Sequence, residues 1–176
     1  MRRVSILATS AFAAAACVAL LAGPLTATGA RGAPKCFGKT ATIVRGDGDN
    51  TVTGTSGNDV IVSGDGSDSV DGAGGNDRIC SGPKSDGVEG GSGNDKINGG
   101  NNADSIDGDT GIDDQPEDGK DLIKGGKGAD RLEGQGEDDT IFGGDNNDIL
   151  AGQGGTDFCD GGPAGDNVDC EEGPGD

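Results

Sequence analysis

Aspartate is the residue type whose spacing in this chain could do chemistry. Thirteen aspartates stand at one phase of a nine-residue period: Asp59, Asp68, Asp77, Asp86, Asp95, Asp104, Asp113, Asp121, Asp130, Asp139, Asp148, Asp157 and Asp166. A further unit carries Asn50 at the same place. Carboxylates offer hard oxygen donors, and a pair of them can also serve as acid and base in glycoside hydrolysis. Here they recur identically along a turn, which marks a ligand array and not a single acid/base pair. The chain has no His, so triads, imidazole zinc sites and histidine proton shuttles are excluded. Its formal charge of −19 also turns it away from nucleic acid phosphates.

The elements that must position these carboxylates follow from the rest of the period. Residues 45–169 divide into units starting at Arg45, Gly54, Ser63, Gly72, Ser81, Gly90 and Gly99, then one eight-residue unit, 108–115. The nine-residue frame resumes at Pro116 and continues at Gly125, Gly134, Gly143, Gly152 and Gly161. Of the fourteen units, position one is Gly in ten, position four is Gly in nine, and position eight is aliphatic in twelve. Cys159 is a further apolar residue at position eight, and Gln115 is the misfit. Low-complexity drift yields richness in Gly and Asp but not this phase. Glycine supplies 38 of 176 residues, about three times its usual share. With four Phe and no Tyr or Trp, an ordinary hydrophobic-core enzyme is not expected.

Residues 1–30 have a different composition. Arg2 and Arg3 precede an apolar stretch from Val4 to Leu21, Gly23-Pro24 breaks it, and small residues follow. This is the pattern of a signal peptide, with cleavage after Gly29 or Ala30. The alternatives are an uncleaved anchor and a lipoprotein attached through Cys17, whose flanking residues lack the usual leucine. The paired arginines match a twin-arginine export signal poorly. Without residues 1–30 the chain has 32 acidic and 11 basic residues, a net charge of −21. Four cysteines then remain: Cys36, Cys80, Cys159 and Cys170. An even count behind a signal peptide reads as two disulfides in an oxidising space. Three pairings are open; closeness in sequence favours Cys159 with Cys170, leaving Cys36 with Cys80. A metal–thiolate site is disfavoured, because there is no CxxC.

The phased pattern Gly-Gly-x-Gly-x-Asp-x-U-x, with U apolar, resembles the calcium-binding nonapeptide of the RTX (haemolysin-type) family. The resemblance covers about 125 residues, and its many phased copies make it specific. Signal peptide, Cys-Phe-Gly-Lys opening, repeats and a closing Cys-Asp-Gly-Gly…Asp-Cys-Glu are similar to small secreted Gram-positive members of that group. The resemblance implies an all-β fold, a right-handed parallel β-roll with two repeats per coil, hence about seven coils at roughly 4.8 Å each. It implies Ca²⁺ between glycine-rich turns of successive coils on one edge, so that Asp59 shares an ion with the turn of Asp77, and Asp68 with that of Asp86. The chemistry is consistent: calcium takes six to eight oxygen ligands, and glycine-rich turns can aim carbonyl oxygens inward beside a carboxylate.

In such a roll the inner stack is Val52, Ile61, Val70, Ile79, Val88, Ile97 and Ile106, then Ile123, Leu132, Ile141 and Leu150. One aliphatic per nine residues does not offset the entropy of ordering nine residues, so the metal-free chain is expected to be largely disordered. Residues 31–44 form an N-terminal cap, with Thr40 to Val44 as a strand and Phe37 over the open stack. The β-roll spans 45–170, with an acidic loop at about 109–118, and 171–176 form an acidic tail. Lys84, Glu137 and Asn146 replace glycine at position four, and Lys84 is expected to disfavour a nearby ion, with Pro83 stiffening the same turn. Seven units before the break and six after it allow about nine ions.

Gly38-Lys39-Thr40 lacks the upstream glycine of a P-loop, since Ala33 stands there. No Asp-rich stretch has the twelve-residue, Glu-terminated loop of an EF-hand. Position three has no threonine rank of the kind an ice-binding roll would use. The reading is therefore a secreted, extracellular calcium-binding protein, expected to be monomeric and without enzymatic activity. The alternative is a calcium-rigidified adhesion or matrix protein with a cell-surface partner; an exposed aromatic patch or anchor domain would favour it, and the sequence displays neither. Without residues 1–30, only 31–44 and 170–176 lie outside the repeats, which leaves no room for a catalytic domain. An N-terminal signal and C-terminal cysteines speak against type I secretion.

Overall fold

The computed structural model describes residues 32–110 and 118–170. Strand formation follows from positions seven to nine of the repeat, where an aliphatic residue is flanked by residues that face outward. In Ser69-Val70-Asp71 only the valine is fully buried, the alternation of a strand with one face inside. A short hairpin comes first, β1 (Lys35–Cys36) antiparallel to β2 (Lys39–Thr40). From there the chain winds through two parallel sheets, giving one strand to each in every coil.

The first sheet runs β3 (Ile43–Val44), β5 (Val60–Val62), β7 (Arg78–Pro83), β9 (Lys96–Asn101), β11 (Leu122–Lys127), β13 (Thr140–Asp145) and β15 (Phe158–Asp160). The second runs β4 (Thr51–Thr53), β6 (Ser69–Asp71), β8 (Gly87–Glu89), β10 (Ser105–Asp107), β12 (Arg131–Gln135), β14 (Ile149–Gln153) and β16 (Asn167–Asp169). This is the parallel β-roll, with two repeats per coil and seven coils. Among the described residues there is no helix, and so none long and apolar enough to cross a membrane.

Registry stacks like residue on like. Ile61 pairs with Ile79, Ile79 with Ile97, Ile97 with Ile123 and Ile123 with Ile141. The eleven aliphatic residues named above as the inner stack form the buried core, none more than 4 % exposed. Ile43, Cys159 and Cys170 pack against it. Val168, also at position eight, is 45 % exposed because its strand is the last of the second sheet.

Two details differ from the sequence reading. Fourteen strands line the two sheets, but their membership is not that of the fourteen units. Ile43 opens the first sheet, and the eight-residue unit contributes no strand among its described residues. Phe37 does not close the stack: it sits half-buried in the β1–β2 turn at φ 44, and Ile43 takes the packing role.

The insertion can be placed within a turn. Gly108 faces Asp121 Oδ2 as other position-one glycines face the aspartate five residues on. Gly119 packs on Gly93, and the Lys120 N–H donates to Asn94 Oδ1, as positions four and five do elsewhere. Asp109 therefore holds position two and Asp118 position three, with residues 110–117 inserted between them. Strand register then shifts by 26 residues instead of 18, and both sheets continue unbroken. Cys36 is bonded to Cys80 and Cys159 to Cys170, with Cα–Cα distances of 5.7 and 6.1 Å. The first bond ties the hairpin to β7; the second joins β15 to the chain just after β16.

Candidate metal-binding columns

The sixth-position aspartates form two columns, one along each edge of the roll. On one edge the backbone N–H of Asp59 donates to Asp77 Oδ1 at 2.7 Å, Asp77 to Asp95 at 2.7 Å, Asp95 to Asp121 at 2.8 Å, Asp121 to Asp139 at 2.8 Å and Asp139 to Asp157 at 2.9 Å. On the other edge the same bond links Asn50 to Asp68, Asp68 to Asp86, Asp86 to Asp104, Asp104 to Asp130, Asp130 to Asp148 and Asp148 to Asp166. The columns pass through the insertion, so ten junctions join two aspartates. The insertion does not break the array, and a ceiling of about nine ions founded on such a break falls away.

Each carboxylate thus has one oxygen committed to the backbone. The other is buried with no hydrogen-bond partner: Oδ2 of Asp68, Asp77, Asp86, Asp95, Asp104, Asp121, Asp130, Asp139, Asp148 and Asp157. An unsatisfied buried oxygen of this kind is costly, and its repetition ten times marks a design feature. The space it faces is defined by the position-one glycine. A Cβ placed on Gly72 would fall closer than 3.0 Å to both Asp77 Oδ2 and the Gly90 carbonyl oxygen. Gly90, Gly108, Gly125 and Gly143 show the same pair of close oxygens, a carboxylate from their own turn and a carbonyl from the next coil. None of these five has a positive φ; their glycine is required by oxygen crowding, not by backbone conformation.

Burial raises the carboxyl pKa values, and neighbouring aspartates add to the effect. Asp95 is pushed up to about 8, Asp104 to about 7 and Asp139 to about 9; Asp77 and Asp121 rise to about 6. In each the largest cause is loss of water, opposed by the hydrogen bond from the preceding coil. Protein groups alone therefore leave the ionised columns under-compensated. An all-oxygen donor set of two carboxylates and turn carbonyls fits a hard cation of the calcium type. Among the described residues no three acidic or thiol side chains gather at one point, so the carbonyls would have to complete any shell.

The ends and irregular turns depart from the pattern. Asp59 has no orphan oxygen: the Thr55 N–H and hydroxyl both donate to its Oδ2 at 2.8 Å, and Thr42 Oγ1 to its Oδ1 at 3.3 Å. Asp157 and Asp166, in the last coil, are half-buried. Asp113 lies outside the described residues. Ser63 and Ser81 hold position one in two turns, and each hydroxyl donates to the position-one carbonyl of the next coil, at 2.6 and 2.8 Å. Lys84 is exposed and adopts φ 77, as Asn102 and Asn146 do on the same edge at φ 74 and 81. The turn thus keeps its shape without glycine.

Asp109 is a buried carboxylate that the periodic pattern does not reveal. It is 1 % exposed, accepts the Gly119 N–H on both oxygens, and is pushed to about 8 by burial and by Asp121. The signal lies in the eight-residue offset, which leaves it at position two beside Gly108. On the outer surface of one edge a second ladder runs along position five, where Asn58 accepts from Asn76, Asn76 from Asn94, and Asn94 from Lys120.

Comparison with family models matches the RTX calcium-binding nonapeptide repeat in four copies, at residues 45–79, 82–114, 117–150 and 133–168. These copies cover more than half of the sequence, and the chain belongs to that family. Comparison with curated proteins finds no match.

Proposed function

We propose that this is a secreted calcium-binding protein in which the two aspartate columns hold Ca²⁺ between successive coils. The observation that carries the reading is the set of ten orphan Oδ2 atoms, six of which (Asp77, Asp95, Asp104, Asp121, Asp130 and Asp148) share the space at a position-one glycine with a carbonyl of the next coil. Asp68, Asp77, Asp86, Asp95, Asp104, Asp121, Asp130, Asp139, Asp148 and Asp157 would supply carboxylate oxygens, with Asp166 completing the last junction, while Asp59 already accepts from Thr55 and Thr42. Bound calcium supplies positive charge where like charges otherwise face one another. The chain's part is to hold each carboxylate with a backbone N–H on Oδ1 and keep Oδ2 free. Folding is then coupled to binding, since the site does not exist in the unfolded chain. The two disulfides support an oxidising, extracellular destination.

Circular dichroism in chelator and in millimolar calcium tests this, together with calorimetric titration. Strand signal that appears with calcium and at least two ions bound is the expected result. An identical, well-folded spectrum in chelator overturns calcium-dependent folding, and fewer than two ions overturns the array.

One observation favours a second reading, a calcium-rigidified surface-binding protein. Phe158 is 56 % exposed, with its ring centroid 5.9 Å from that of Phe142, and Lys124 stands 5.5 Å from the Phe142 ring. This small aromatic patch lies on the outer face of the first sheet.

A further inference from the structure

The first turn on the second edge carries Asn50 where its successors carry aspartate. Its side-chain nitrogen lies among four oxygens: the Gly46 carbonyl at 3.1 Å, Asp68 Oδ1 at 3.1 Å, the Ser63 carbonyl at 3.5 Å and the Gly48 carbonyl. An amide nitrogen has only two protons to give. Four oxygens converging on it make a pocket shaped for a cation more than for a neutral donor. Their origin repeats the pattern of the other turns. Ser63 stands thirteen residues after Asn50, as Gly90 stands after Asp77, and Asp68 is the carboxylate of the next coil. Gly46 and Gly48 are positions two and four of the same turn.

We infer that the Asn50 amide is a built-in substitute for a metal ion: it fills the first cation position of this column with a neutral donor, so that the turn closes without calcium and a single change to aspartate opens one further site. The inference rests on the calcium-binding reading of the columns. The other edge is closed at the same end by Thr55 and Thr42 on Asp59. The Cys36–Cys80 bond holds the hairpin beside it. The first coil is thus secured by amide, hydroxyl and disulfide, while the later coils present orphan oxygens from Asp68 and Asp77 onward. It is the part of the roll that needs metal least.

Native mass spectrometry of the oxidised full chain in calcium, with Asn50→Asp and Asn50→Ala beside the parent, tests the inference. If the parent binds n ions, Asn50→Asp is expected to bind n + 1 and Asn50→Ala to bind n. A count of n for Asn50→Asp, in a variant whose dichroism matches the parent, overturns it. So does n − 1 for Asn50→Ala, which would make Asn50 itself a ligand. A parent that binds fewer than two ions instead removes the reading beneath.

Discussion

Asp95→Asn isolates what one column carboxylate costs the metal-free roll. Asp95 is 1 % exposed and pushed up to about 8, against an ordinary value of 3.8. A raised folded-state value means stability is full below pH 3.8 and is lost as pH climbs toward 8. At pH 7 about three pH units of that loss have accumulated, or about 4 kcal/mol at 1.36 kcal/mol each. Asp77 and Asp121 share the same column and part of the same repulsion, so roughly 2–4 kcal/mol is the gain expected from removing one charge. Asparagine keeps the acceptor for the Asp77 N–H. It also turns an N–H₂ toward the Gly108 carbonyl, which crowds Gly90 together with Asp95 Oδ2. The assay is folding of the metal-free chain by an excluded osmolyte, followed by circular dichroism. At pH 7 the variant should fold at lower osmolyte concentration than the parent; at pH 4 the two should coincide, because Asp95 is then protonated. With calcium the variant should bind at least one ion fewer. No shift at pH 7, an equal shift at pH 4, or an unchanged ion count would refute the reasoning.

The same raised values in Asp77, Asp104, Asp121 and Asp139 predict opposite pH responses with and without metal. Metal-free protein should gain strand signal on acidification from pH 8 to 4.5, whereas calcium-bound protein should lose ions over that range as protons compete; parallel dichroism titrations separate the two. Replacing Cys36 and Cys80 by serine opens a loop of 44 residues, which the chain-entropy relation values at about 4 kcal/mol. The calcium concentration at half-folding should rise, and an unchanged midpoint would show that the hairpin is held by other contacts.

Much of this was legible because one period governs both core and site. Position eight could be read as the inner stack, and all eleven residues from Val52 to Leu150 lie there, since a strand turns alternate residues to one face. Position six could be read as the turn carboxylate for the same reason. The location of the eight extra residues was not legible, because any split of the unit restores the phase. Only the pairing of Gly108 with Asp121 and Gly119 with Gly93 fixes it. In the sequence Ile43 reads as part of a capping strand and not as a member of the inner stack, because Ala41 stands where the frame calls for aspartate. Asn50 read as a simple exception, since a side chain's role as donor depends on carbonyls from two coils that no local pattern brings together.

The ladder of N–H to Oδ1 bonds has a direction. In every junction the earlier coil donates and the later coil accepts. A roll that orders from its N-terminal end can therefore never finish its newest coil, which waits for the carboxylate of the next. A roll ordering from that end has a leading edge that stays unfinished until the next coil docks. Asp157 and Asp166 are the last column aspartates among the described residues, and there the Cys159–Cys170 bond ties the last strand of the first sheet covalently to the chain just after the last strand of the second.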